Sequence, residues 1–163
     1  MLRSTGFGQI PFGLAMIASG VQNVVYGEGV ESLERFPAWL PGHRELAYLT
    51  GIILVAAGIG LVLNRMTRLA ALSIALLLSV SVIALHLPNL LAALHDGGEW
   101  TASAETLAFC AAAWMLAAAN DESALQGGGR ARIGRVARYC FAGCLLVFGL
   151  VHFAYPDSVA LCS

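Results

Sequence analysis

The sequence predicts an all-α membrane protein, a four-helix transmembrane bundle followed by a fifth, C-terminal transmembrane helix. Of its 163 residues, 58% are hydrophobic and only 12% are charged, about half the charged share of a soluble domain. The charged residues leave five long uncharged runs between them. The longest, residues 69 to 95, contains no Asp, Glu, Lys or Arg. It exceeds the ~20 residues that cross a ~30 Å hydrocarbon layer, so the bilayer is the expected environment.

The uncharged runs place the five helices at about 8–26, 46–64, 68–94, 102–119 and 137–155. The first run contains Gln22 and Asn23 and lacks a clear cleavage site of small residues. We therefore interpret it as a retained helix and not as a signal peptide. In the second helix, Ala56 and Gly60 have a spacing that favours close contact with another helix.

The helices divide the chain into three segments. Residues 1–120 are predicted to form the four-helix unit, 121–136 a Gly- and Arg-rich cytoplasmic linker, and 137–163 the fifth helix with a short tail. A weak internal similarity aligns residues 12–33 with 141–162, pairing Phe12 with Phe141 and Gly20 with Gly149. The last segment is therefore interpreted as the start of a second, incomplete unit.

Arginine predicts the orientation, because the chain has no lysine. One side of the proposed membrane holds seven arginines, namely Arg3, Arg65, Arg68, Arg130, Arg132, Arg135 and Arg138. The other side holds only Arg35 and Arg44. The positive-inside rule then places the N-terminus in the cytoplasm and the C-terminus outside the cell (inner) membrane. An alternative role for the RARIGR cluster is binding anionic lipid.

The first outer connection, residues 27 to 45, has a pattern of its own. Its apolar residues Val30, Leu33 and Phe36 recur every third position, with Glu31, Glu34 and Arg35 between them. This pattern predicts a short amphipathic helix on the membrane surface. A plain loop anchored by Trp39 in the headgroup region is the alternative.

Four stretches carry a resemblance to a known family: FPAWLPG at 36–42, TGIILVAAGIGLVL at 50–63, HLPNLL at 86–91 and the alanine-rich fourth helix. Together, over about residues 8 to 119, they resemble the DoxX-like family of small bacterial membrane proteins, whose basic unit is a four-helix bundle. The family is named after a subunit of an archaeal thiosulfate:quinone oxidoreductase. The resemblance therefore implies a redox-associated role.

Two departures limit what the resemblance implies. The first unit has Asn23 where the aligned start of the second has His152, and the second unit lacks three of its four helices. A site built from two histidines of two complete units is therefore not expected.

Polar side chains within the predicted helices collect near the outer side. The candidates for a ligand or quinone pocket are Gln22, Asn23, Tyr26, His86, Asn89, Glu105 and His152. Because an unpaired polar group in hydrocarbon costs several kcal/mol, we expect them to face one another or a wet cavity. His86 and Glu105 would lie at similar depth on antiparallel neighbouring helices, and we predict that they pair.

These residues also have structural interpretations. Glu105 can favour the positive end of a helix dipole. His86 can satisfy a backbone carbonyl that Pro88 leaves free. Asn23 and Gln22 can hold helices together by hydrogen bonds.

Two functions remain open. In the first, the chain is an accessory or scaffold subunit of a membrane redox system and works as a homo-oligomer or with a soluble redox partner. Alternatively, its outer pocket binds quinone or another lipophilic molecule, with His86 and Glu105 exchanging protons. There is no flavin or nucleotide motif and no cysteine cluster for iron–sulfur. We therefore predict no metal and no evident cofactor, with quinone as the possible one, and leave open whether the protein is an enzyme and which residues would be catalytic. The net charge of −1 argues against nucleic acid as a partner.

Overall fold

The structure, a computed structural model, describes residues 6–29, 33, 34, 36, 40–120 and 129–154. Over these residues the chain is helical, and no strand occurs among them. We label the helices α1 (Gly6–Tyr26), α2 (His43–Val62), α3 (Thr67–Ala92), α4 (Gly97–Ala119) and α5 (Gly129–Ala154). The predicted all-α class is confirmed.

Among the described residues, four helices are long and apolar enough to cross a membrane: α2, α3, α4 and the part of α5 from Arg132 to Ala154. Helix α1 has 21 residues and no acidic or basic side chain, a length of about 30 Å. It is not among these four candidate spans, and it contains the polar residues Gln9, Gln22 and Asn23. It packs along α2 and completes the bundle, and the chain is a membrane protein.

Helices α1 and α2 are antiparallel and touch at two pairs of glycines. A Cβ atom added to Gly20 would lie 2.6 Å from the Gly51 carbonyl oxygen, and one added to Gly13 would lie 2.9 Å from the Gly58 oxygen. Each pair is therefore in backbone contact, and the two pairs are separated by about two helical turns. Small residues allow this close approach, which favours helix association in a membrane.

The sequence indicated Ala56 and Gly60 for close contact with another helix, without naming that helix. Ala56 is exposed. A Cβ atom at Gly60 would face the Arg65 carbonyl oxygen and Ala70 at the start of α3, not α1. The stripe that faces α1 is the one containing Gly51 and Gly58.

The core runs between α1, α2, α3 and α4. Met16, Leu54, Leu61, Ile74 and Leu78 are fully buried in it, and small residues of α4 such as Ala113 complete it. The rings of Phe12 and Phe109 lie with their centroids 6.3 Å apart and bring α1 against α4. Because consecutive helices also pack on each other, α1 to α4 form a four-helix bundle.

Helix α5 lies on the flank of this bundle, packed mainly on α4. Its contact is a small cluster of Ala104, Ala108 and Cys144, with Phe141 and Phe148 at its edge. It starts at Gly129, so residues 129–136, which we expected in the linker, are helical. Residues 121–128 lie outside the described part of the chain.

Helix α3 contains one π-helical turn, Val82–His86. The N–H of Leu87 bonds the carbonyl oxygen of Val82, five residues back. Pro88 has no N–H, so the usual α-helical bond at this point is missing, and a π turn is one way to absorb such an interruption. His86, the last residue of the turn, is only 3% exposed.

Candidate functional site

Buried polar side chains collect at one end of the bundle, where α1 and α3 end and α2 and α4 begin. We call it the Glu34 end. Six buried polar residues lie there: Asn23, Glu34, Thr50, Ser81, His86 and Thr106. We call them the Glu34 cluster. Five are on helices, one or two on each of α1 to α4, and Glu34 comes from the connection between α1 and α2.

Leu33 and Glu34 are inserted into the bundle. They are 2% and 1% exposed, and neither is helical. The predicted surface helix was therefore wrong for these residues, because the polar groups of the surrounding helices bond to them from inside. Phe36 is half-buried and is not helical either, whereas Val30, Glu31, Arg35 and Trp39 lie outside the described residues.

The Glu34 carboxyl is bonded to α1 and lies against α2. Asn23 Nδ2 donates to Glu34 Oε2 at 2.8 Å and lies 3.3 Å from Thr50 Oγ1. The other carboxyl oxygen, Oε1, is buried without a hydrogen-bond partner. Burial raises the pKa of this carboxyl above its ordinary value, and contacts with Thr50 and Asn23 only partly offset that. Glu34 lies between the spanning helices and not within one.

The Leu33 backbone carbonyl is held from α3. Ser81 Oγ donates to this oxygen, and His86 Nε2 makes a longer contact with it at 3.4 Å. The sequence alone gives no reason to expect a loop carbonyl at this depth. Its two polar neighbours explain why it can be buried there.

Thr106 of α4 orients the His86 ring. Its Oγ1 lies 3.0 Å from His86 Nε2 and also donates to Ala102 O at 3.0 Å. Because the hydroxyl proton is used on Ala102, Thr106 accepts from His86, which makes Nε2 the protonated ring nitrogen. The cluster thus runs from α4 through His86 to the inserted residues.

This arrangement can hold a carbonyl oxygen between two donors and can bind a proton on a buried acid. No group of three or more His, Cys, Asp or Glu side chains that could hold a metal ion occurs among the described residues. Cys110, Cys140 and Cys144 are free thiols.

The predicted site residues do not form one pocket. Asn23 and His86 belong to the Glu34 cluster, in which Asn23 bonds the Glu34 carboxyl and His86 contacts the Leu33 carbonyl oxygen. Gln22 is exposed, and Tyr26 is 71% exposed, both on the outside of α1. Asn89 is half-buried, and His152 is exposed in the last turn of α5.

Glu105 is half-buried near the start of α4. The adjacent residue, Thr106, supplies the α4 contact to His86 described above. The two predicted partners thus lie at the same end of antiparallel neighbouring helices, and their pairing stays a prediction.

Sequence reasoning missed Glu34, Ser81 and Thr106. Serine and threonine are common in membrane helices, so Ser81 and Thr106 carry no signal by themselves. The sequence did point to Glu34 indirectly. Asn23 and Thr50 lie at the same depth on neighbouring helices, and their polar side chains need a shared hydrogen-bond partner. An acid in the connection directly between their helices was available to supply it.

The DoxX family model matches residues 8–87. The match covers five of the six residues of the Glu34 cluster and ends before Thr106, so α4 and α5 lie outside it. No curated protein and no solved structure matches the chain significantly. With the helical membrane fold, the match makes this chain a DoxX-like family protein over residues 8–87.

Proposed function

We propose that this protein is an accessory, non-catalytic subunit of a membrane redox system. The observation that carries the proposal is that the Glu34 cluster is occupied by the chain's own Leu33 and Glu34. Groups that bind or convert a substrate must be free to contact it, whereas these hold the connection between α1 and α2 inside the bundle. The redox association itself rests on the family.

The exposed surface of α5 supports an accessory role. Leu146, Leu150 and Phe153 are largely exposed, and α5 packs mainly on α4. A subunit of an oligomer needs, in addition to its own core, a helix surface of this kind that does not pack within the subunit and can contact another protein. The partner proposed here is a second copy of the chain or a redox protein at the membrane surface.

Purification of the full chain in mild detergent tests the proposal. We expect no visible absorption, no stoichiometric quinone on solvent extraction, and a particle larger than one chain or a co-purifying redox protein. A colourless monomer that carries one quinone per chain would contradict it.

One observation favours quinone binding as the second candidate. The Leu33 carbonyl oxygen has polar contacts from both Ser81 and His86, and a quinone carbonyl has the same acceptor chemistry. We propose for this case that quinone binds where Leu33 now lies, once Leu33 has moved out.

Ser81→Ala and His86→Gln then test this second function. Both should lose extractable quinone while the protein remains folded. The matched control is Ser73→Ala on the same helix, because Ser73 is exposed and bonds only within its helix, to Leu69 O. Equal quinone content in all four proteins, wild type included, would reject this candidate.

A further inference from the structure

The Glu34 carboxyl is buried with few compensating contacts. Asn23 donates one hydrogen bond to Oε2, while Oε1 has no partner. Within the part of the chain that the structure describes, no cationic side chain contacts this carboxyl. A Cβ atom at Gly29 would lie 1.9 Å from the Glu34 carbonyl oxygen, so the backbone on this side is closely packed as well.

Among the described residues, the elements around Glu34 place no positively charged side chain against its carboxyl group. From α1 and α2 the carboxyl meets the neutral Asn23 and Thr50, and from α3 the nearby group is His86, which bonds the carbonyl of Leu33. The remaining titratable groups described at this end are all exposed or half-buried, namely Tyr26, Glu28, His43, Arg44, Glu45, Tyr48, His95, Asp96, Glu99, Glu105 and His152. Glu31 and Arg35 lie outside the described residues.

A bare carboxylate in such surroundings is strongly unfavourable, because it has left water without gaining a positive partner. A proton on the carboxyl removes this cost. We propose that Glu34 is a proton-binding site, at which the protein takes up one proton when Leu33 and Glu34 enter the bundle. This inference is independent of the proposed function, since it concerns the docked state itself.

The proton makes docking dependent on pH. Burial holds the pKa of Glu34 above its ordinary value, so the docked acid keeps a proton that the undocked acid loses. Above about pH 4.3, the ordinary value for Glu, the ratio of undocked to docked protein rises up to tenfold per pH unit. The rise ends once the docked carboxyl ionises. Undocking uncovers Asn23, Thr50, Ser81 and His86.

Hydrogen exchange of the full chain in detergent, measured by mass spectrometry, tests the docking. The readout is the exchange rate of a peptide containing residues 33–36 in wild type divided by the rate in Glu34→Gln. The Phe36 N–H reports docking because it bonds Glu34 O at 2.9 Å. The division cancels the intrinsic pH dependence of exchange and any contribution from His86, which both proteins contain.

We expect this ratio to rise with pH by up to tenfold per unit from about pH 4.3 upward. The control variant, Glu28→Gln, removes an exposed acid close to the same connection and should follow the wild type. A flat ratio overturns the proposal.

Infrared difference spectra of the same proteins give a second test that does not depend on exchange. Wild type and Glu28→Gln should show the carbonyl band of one protonated carboxyl group that persists above the ordinary glutamate pKa. Glu34→Gln should lack this band. If Glu34→Gln also showed the band, the proton would be on another residue. If the wild type lacked the band above the ordinary glutamate pKa, there would be no such proton.

Discussion

The hydroxyl group of Thr106 helps to position the buried side chain of His86. It lies against His86 Nε2 in a fully buried position and fixes which ring nitrogen carries the proton. Through His86 it supports the carbonyl of Leu33, so that a residue of α4 contributes to holding the connection between α1 and α2.

Thr106→Val should therefore destabilise the protein by about 1 kcal/mol, because the buried His86 N–H loses its 3.0 Å hydrogen bond to Thr106 Oγ1. Thr101→Val is the matched control, because Thr101 is half-buried and its hydroxyl bonds only Gly97 O within its own helix. The control should change stability by about 0.5 kcal/mol or less. Unfolding in detergent measures both, and equal losses would show that the His86 contact contributes nothing specific.

At the residue scale, the sequence predicts which helical polar groups matter more readily than which loop residue meets them. Asn23 and His86 stand out because amide and imidazole groups are rare and costly in hydrocarbon. Glu34 follows an amphipathic pattern that is equally compatible with a wet surface. Its burial depends on contacts with residues of α1 and α2. These residues lie outside the short segment whose pattern gave the prediction.

At the element scale, α1 and α2 form the closest helix pair. The contacts of Gly13 with Gly58 and of Gly20 with Gly51 leave no room for side chains between the backbones. Because Asn23 follows Gly20 by one turn and Thr50 precedes Gly51, the same contact sets the distance across which Glu34 is bound.

Gly20→Ala should cost about 1–3 kcal/mol, since its Cβ would meet the Gly51 carbonyl oxygen and push the helices apart. Gly149→Ala in α5 is the control, because nothing lies within 4 Å of that position. It should be neutral or stabilising by about 0.5 kcal/mol, since alanine favours a helix more than glycine does. Thermal unfolding of both variants measures these changes in stability. Equal tolerance at the two positions would mean that α1 and α2 are farther apart.

The uncharged runs located the helices but placed the starts of α4 and α5 several residues too late. Such a run marks the part that crosses hydrocarbon, whereas the helix continues into the polar region. Helix α4 starts at Gly97, after Asp96, whose side chain accepts from the Gly98 N–H at 2.8 Å. Helix α5 similarly includes Arg132 and Arg135 before its apolar part. The π turn in α3 could not be derived from Pro88 alone, because a proline can also kink or end a helix.

At the scale of the whole molecule, the predicted all-α fold is confirmed because hydropathy and length determine it without knowledge of helix contacts. The orientation is a separate matter, since it depends on the distribution of arginine. Arg65 and Arg68 lie at the end of the bundle opposite Glu34, and Arg132 and Arg135 lie at the same end, in the first turns of α5.

We predict that this arginine-rich end faces the cytoplasm. A reporter fused after Ser163 should be active only if it functions outside the cytoplasm, and the same reporter inserted at Gly128 should report the inside. Cytoplasmic activity of the Ser163 fusion would contradict the orientation. The Glu34 cluster would then face the cytoplasm.

The central structural claim is that Glu34 lies inside the bundle and bonds Asn23, and a double-mutant cycle tests it most directly. The cycle measures unfolding free energies of wild type, Asn23→Ala, Glu34→Ala and the double variant in detergent. Asn23→Ala combined with Glu28→Ala is the reference cycle, because Glu28 is exposed. We predict a coupling of about 1–3 kcal/mol between Asn23 and Glu34, since the two side chains share a buried hydrogen bond, and none between Asn23 and Glu28. Additive effects of Asn23→Ala and Glu34→Ala would contradict the claim and place Glu34 on the surface.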